Sequence, residues 1–299
     1  MENIDSVCKV RFSGGIGNQL YQLAFLYFLQ REKVKVIPDF SEFTYYRFHN
    51  GLELGKILHT AYDKQIESIE LSRKKWYTIF SPKLGFWLRY RFYGLKNKLV
   101  DHIRLENVNE ILDIKTIGND NRLILKGHWQ RLDYVDVVKD LFFKNLNYSL
   151  LSSETDLNIM EQIKKQTSVS IHVRRGDYLK EKQYQVIRNF DYYNHAIDLI
   201  KENFQEPVFY VFSDDIKWVK ENIKEENVVF VNWNLGQESF KDMLLMSLCQ
   251  HNIIANSTFS WWGAYLNTNP SKIVLCPNYW MVGEKTDGRV PANWIQLEV

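Results

Sequence analysis

Two adjacent arginines, followed by glycine and aspartate, are the most pointed chemical feature of this sequence. They stand in Ser168-Val169-Ser170-Ile171-His172-Val173-Arg174-Arg175-Gly176-Asp177-Tyr178. Strand alternation places Val169, Ile171 and Val173 on one face and Ser170, His172 and Arg174 on the other. Paired guanidinium groups pack poorly at a strand end but suit a diphosphate, which they bind through bidentate charge-assisted hydrogen bonds. Gly176 lets the chain turn, and Asp177 is placed to orient one guanidinium or to act as a base. The competing reading is a surface Arg–Asp pair worth at most about 1 kcal/mol.

Three other segments carry polar groups of the same kind. Val208–Phe212 runs into Ser213-Asp214-Asp215. A carboxylate there can accept from a ribose hydroxyl or a guanine N–H, or it can cap a helix. Capping suits Asp214 better than Asp215. Asn252–Ala255 runs into Asn256-Ser257-Thr258-Phe259-Ser260-Trp261-Trp262-Gly263. Hydroxyls and free N–H groups at a helix start make an anion site. Phe259, Trp261 and Trp262 either wall off a base or sugar, or fill the core. The third segment is Gly14-Gly15-Ile16-Gly17-Asn18-Gln19-Leu20. It lacks the third glycine of a dinucleotide fingerprint and the Lys-Ser/Thr of a P-loop. It keeps a tight turn at Gly15 that admits a ligand close to the backbone, with Asn18 and Gln19 able to hydrogen-bond a sugar or diphosphate.

These groups need a scaffold that gathers strand ends. In open parallel α/β sheets, ligands bind beyond the carboxyl ends of the strands. Strand patterns at Ser168–Val173, Val208–Phe212, Val228–Val231, Asn252–Ala255 and Lys272–Cys276 alternate with helical patterns near 190–204, 215–223, 238–250 and 258–267. That predicts a doubly wound domain over residues 151–299. The boundary falls near Ser149–Glu154, where Ser152-Ser153-Glu154 offers a helix cap. Before it, Lys9–Phe12, a helical run from Asn18 to about Glu32, and Val34–Ile37 predict a βαβ opening to a first domain, residues 1–150.

The remaining features bound the function. A net charge of +2 over 299 residues gives no reason to expect nucleic acid. Aromatic residues at 15% lean towards a carbohydrate or nucleotide ligand, or to packing alone. Cys8, Cys249 and Cys276 are odd in number and widely spaced, which fits a reducing cytoplasm and neither a disulfide framework nor a zinc site. An acidic N-terminus without an apolar run predicts no signal peptide, and no apolar stretch reaches spanning length. No Asp-x-Asp occurs, so metal-independent chemistry is expected. Residues 73–98 interleave basic and aromatic side chains without an acid. They read either as a peripheral contact with the inner face of an anionic membrane or as a helical hairpin filling the first domain's core.

Six blocks in order, covering nearly the whole chain, resemble glycosyltransferase family 11, the bacterial α-1,2-fucosyltransferases. They are Gly14–Gln22, Gly127–Gln130, Ile171–Tyr178, Phe212–Asp215, Asp242–Ser247 and Ile254–Leu266. The resemblance implies a GT-B type fold, two Rossmann-like α/β domains facing a cleft, with the acceptor side N-terminal and the donor side C-terminal. It implies GDP-β-L-fucose as donor, a galactose-terminated glycan as acceptor, inverting α-1,2 transfer and no metal or other cofactor. Arg174 and Arg175 match the family's basic pair, the second usually gripping the β-phosphate. His172, Asp215 and Asn256–Ser260 match positions lining the GDP. The chain departs from the family at His128, at Arg131-Leu132-Asp133 and over Leu179–Arg188, the last being where the resemblance places the acceptor.

Overall fold

The computed structural model describes residues 7–44, 49–68, 102–107, 110–117 and 123–299. The chain divides into two compact units, Met1–Leu146 and Asn147–Val299. Each contains a parallel β-sheet with helices, the α/β architecture expected. The basic-aromatic stretch 73–98 lies outside the described residues. Within them, no helix is long and apolar enough to cross a membrane.

The first unit is built on β1 (Cys8–Arg11), β2 (Val36–Asp39), β3 (His102–Leu105) and β4 (Leu123–Lys126), in the order β2-β1-β4-β3. All its pairings are parallel. The βαβ opening is present: β1 leads into the Ile16–Arg31 helix and then β2. Leu20, Leu23, Ala24, Phe25 and Leu26 of that helix are fully buried. β3 and β4 have only four residues each, too few to show a period in sequence.

The second unit holds a six-stranded sheet. Its members are β5 (Ser168–Val173), β6 (Val208–Ser213), β7 (Val228–Val231), β8 (His251–Ile253), β9 (Val274–Pro277) and β12 (Ile295–Leu297). A small antiparallel hairpin, β10 (Tyr279–Met281) with β11 (Glu284–Lys285), interrupts the run between β9 and β12. The spatial order β12-β9-β8-β5-β6-β7 is parallel throughout. Counted along the unit, that is the dinucleotide-fold order 3-2-1-4-5-6 read from β7, whose connections reverse direction between β5 and β8. The sequence patterns account for five strands; the sixth, β12, is three residues long and closes the edge beside β9.

Every residue of β5 is buried, as befits a central strand covered on both faces. Val169, Ile171 and Val173 pack with Phe209, Val211, Tyr193 and Ile197, and each fully buried aliphatic side chain stabilises by about 1.5–3 kcal/mol. The opposite face of β5 is polar, and its Ser170 is satisfied: Asn252 Nδ2 donates to Ser170 Oγ at 2.7 Å. Asn267 Nδ2 in turn donates to Asn252 Oδ1 at 2.8 Å and to the Cys249 carbonyl at 2.7 Å. This buried amide chain fixes the β8 end and the Thr258–Tyr265 helix relative to β5. Lys272 completes the anchoring, its ammonium donating to the carbonyls of Ala264, Tyr265 and Asn267 at that helix's C-terminus.

Candidate active site

Strand register brings the polar ends together. Val173 lies level with Ser213, and Ile171 with Ile253, so residues 174–177, 214–215 and 254–258 leave one edge of the sheet side by side. This edge is the carboxyl end, and β5 and β8 flank the reversal where doubly wound sheets open a ligand crevice.

The arginines are held by three aspartates. Arg174 places Nη2 2.8 Å from Asp177 Oδ1 and Nη1 3.0 Å from Asp214 Oδ2, engaging both terminal nitrogens. Arg175 donates from Nε to Asp215 Oδ2 at 3.2 Å and lies over Trp218, its Cζ 3.7 Å from the ring centroid. Among the described residues, no acceptor takes its two Nη groups. Arg175 therefore presents an oriented, open fork. The backbone N–H of Arg175 donates to Asp214 Oδ1 at 2.9 Å. Asp214 can come so close because residue 176 is glycine: a Cβ there would stand 2.7 Å from Asp214 Oδ2.

The capping role falls on the other aspartate from the one the sequence favours. Asp215 Oδ1 accepts from the Trp218 N–H at 3.2 Å and caps the Ile216–Asn222 helix, while Asp214 holds the arginines. Ser213 Oγ accepts from the Asp215 N–H at 2.9 Å, so it shapes this turn. β6 extends through Ser213, which moves the cap one residue later than the pattern Val208–Phe212 suggests.

His172 is buried beside Phe259, with ring centroids 5.6 Å apart. Burial, with Arg174 nearby adding to it, pulls the imidazole pKa down to about 3, so the ring is neutral. Its Nδ1 is buried without a hydrogen-bond partner among the described residues. Ser257 sits at the N-cap of the Thr258–Tyr265 helix but its side chain does not cap it. That leaves first-turn N–H groups of the kind that bind anions. Thr258 and Phe259 are partly exposed at this helix start.

Several expected contacts are engaged elsewhere. Asn256 donates both amide hydrogens within the chain, to the Tyr184 and Trp280 carbonyls at 3.1 and 3.0 Å. Ser260 is fully buried and bonds back to the Ser257 carbonyl at 3.3 Å. Trp261 and Trp262 are core residues, leaving Phe259 as the aromatic of this segment at the site. In the first unit, Gln19 is fully buried; its Nε2 donates to the carbonyls of Gly14 and Gly51, and its Oε1 accepts from the Glu53 N–H. It staples the glycine loop rather than facing a ligand. Asn18 accepts from Gln130 Nε2 at 3.0 Å, joining the loop to the end of β4. Gly14, at φ +80°, makes the turn, and Gly15 follows as the helix N-cap.

Sequence reasoning missed Trp218, the platform under Arg175. The available signal was an aromatic three residues beyond Asp215, one turn into the helix that this aspartate caps. It also missed Tyr178, whose ring approaches the Arg174 guanidinium at 5.6 Å.

Comparison with known proteins identifies the chain's relatives. The family model for glycosyl transferase family 11 matches residues 1–298. An Escherichia coli O-antigen biosynthesis glycosyltransferase, WbnK, is 33% identical over 95% of this chain and 98% of its own. An Escherichia coli alpha-1,2-colitosyltransferase is 30% identical over 98% of this chain and 99% of its own. A galactoside alpha-(1,2)-fucosyltransferase 1 from Ateles belzebuth is 37% identical over 105 residues, 33% of this chain and 29% of its own.

Proposed function

Because this chain belongs to glycosyl transferase family 11, we propose that it moves L-fucose from GDP-β-L-fucose to a galactoside hydroxyl of a surface glycan, forming an α-1,2 linkage with inversion. The observation that carries the reading is the open fork of Arg175, locked on Asp215 and Trp218 at the β5–β8 reversal. The relatives' names support the α-1,2 linkage and a galactoside acceptor.

In this reading the acceptor oxygen attacks C1 of the fucose as the C1–O bond to the β-phosphate breaks. The electron pair leaves with GDP, and Arg175 meets the developing charge together with the Thr258 helix start. Preorganised donors of this kind are the largest single contribution in many enzymes. Arg174, held between Asp177 and Asp214, keeps the turn in shape and adds positive potential. The acceptor proton leaves late, so no strong base is assigned. Asp177 is the candidate nearest the phosphate grip, and its carboxylate is occupied with Arg174. His172, neutral with a vacant Nδ1, is suited to the nucleotide. The reaction runs without a metal, and the three free, buried cysteines fit a cytoplasmic setting.

A GDP-release assay with EDTA present, across several GDP-sugars and a galactoside panel, tests the reading. Release with GDP-fucose and a galactoside is expected. Preference for GDP-colitose, the reading the colitosyltransferase relative favours, or a strict metal requirement would overturn it.

A further inference from the structure

β5 pairs with β6 as far as Val173, but with β8 only as far as Ile171. Past that point the β5–β8 ladder ends, at the reversal where the crevice opens. Backbone acceptors there need other donors, because a buried carbonyl without a partner is costly. Two adjacent tyrosines in the first turn of the Asp191–Asn203 helix supply them. Tyr193 Oη donates to the His172 carbonyl at 3.2 Å. Tyr192 Oη donates to the Ile254 carbonyl at 2.7 Å, with the Leu275 carbonyl 3.2 Å away. The helix thereby ties together the ends of β5, β8 and β9.

Tyr193 also belongs to a chain of rings. Its centroid stands 4.9 Å from Tyr192 and 5.0 Å from Phe190. Phe190 lies 5.7 Å from Trp218, whose face carries the Arg175 guanidinium. Phe190, Tyr192 and Tyr193 are all buried. Burial pushes the Tyr193 phenol far up, with Asp214 adding and Arg175 opposing, so the hydroxyl stays protonated and donating. Tyr210 offers a contrast: it is equally buried, but its hydroxyl donates to Gln166 Oε1 at 2.7 Å, before the amino end of β5.

We propose that Tyr193 is a positioning residue of the donor site: its hydroxyl sets the end of β5, and through Phe190 its ring backs the Trp218 platform. It acts through His172 and Arg175 and touches no substrate itself. The proposal rests on the donor reading above. Without the hydroxyl, the His172 carbonyl loses a buried donor, and the strand end shifts to find another. Binding of the nucleotide must then reverse that shift, which weakens it.

The test titrates GDP calorimetrically into Tyr193→Phe, Tyr210→Phe and the unsubstituted chain, alongside thermal melts and kinetics with GDP-fucose and lactose. In Tyr193→Phe the Kd for GDP and the KM for GDP-fucose should rise about fivefold or more, while the lactose KM stays within about twofold. Tyr210→Phe deletes the same atom and should lower Tm comparably, yet leave the Kd for GDP within about twofold. A Kd within about twofold in Tyr193→Phe would overturn the proposal. So would an equal rise in Tyr210→Phe, which would make the effect a general softening of the unit. Phe190→Leu keeps both tyrosine hydroxyl bonds and cuts the ring contact, so it decides the matter if Tyr193→Phe does not fold. A Kd raised about threefold or more there supports the proposal, and an unchanged one overturns it. Failure of the unsubstituted chain to bind GDP would overturn the donor reading itself, a result seen before any variant is compared.

Discussion

Arg175→Ala separates catalysis from folding at a single side chain. Substitution removes the Nε bond to Asp215 at 3.2 Å and the stack on Trp218 at 3.7 Å, but keeps the backbone bond to Asp214. Asp215 also keeps its capping bond to Trp218. A partly exposed ion pair contributes at most about 1 kcal/mol, and an exposed cation–π contact about 0.5–1 kcal/mol. The expected stability loss is therefore about 1–2 kcal/mol, or roughly 3–6 °C in Tm. The transition state loses far more: removing one preorganised donor costs about 2.7–4 kcal/mol, or 10²–10³ in kcat. Arg175→Lys retains the charge without the fork or the stack, and falls between the two. The assay is GDP release under saturating donor and acceptor, paired with thermal melts. Turnover of Arg175→Ala within about threefold of the unsubstituted chain would refute the reasoning, whatever its Tm, because it would leave 10² or more unaccounted for.

Asp177→Asn should lower kcat by less than about tenfold, since its carboxylate braces Arg174; an essential base would cost about 10²–10⁴. Measuring kcat with saturating substrates decides between them. Burial pushes the Asp242 carboxyl up to about 7, with Asp156 nearby adding and the bond from Asn234 opposing. A folded pKa above the unfolded one gives stability that is fully present at low pH and lost as pH rises through about 7. Asp242→Asn should accordingly melt higher relative to the unsubstituted chain at pH 8 than at pH 5. His172, with its pKa lowered to about 3, contributes stability present above the unfolded value and lost as pH falls towards about 3. His172→Asn should flatten that part of the acid-side melting curve. Lys272→Met removes an ammonium from three carbonyls and should destabilise by about 2–4 kcal/mol, read by urea titration.

The strand–helix alternation of residues 168–276 was legible because its central strands β5 and β6 are nearly continuous buried runs and the Asp191–Asn203 helix carries an apolar stripe, with Tyr193, Ala196, Ile197 and Ile200 buried. β12 was not, being three residues long beyond the β10–β11 hairpin. At the site, Arg174, Arg175 and Asp177 could be singled out because charge at a buried strand's end has few structural uses. Gln19 and Asn256 could not be sorted from ligand-binding amides. Their partners, Gly51 and Glu53 for one and Tyr184 and Trp280 for the other, are distant in sequence and meet them only through the fold. The exchange of roles between Asp214 and Asp215 has a similar cause. It turns on where β6 ends and on the space left by Gly176, neither of which local propensity resolves.

The most direct measurement is NMR of the product formed from GDP-fucose and a galactoside acceptor in EDTA. The account predicts one α-fucosyl residue on the galactose 2-hydroxyl for each GDP released. GDP release without a fucosylated product, or fucose on any other hydroxyl or in the β configuration, would contradict it.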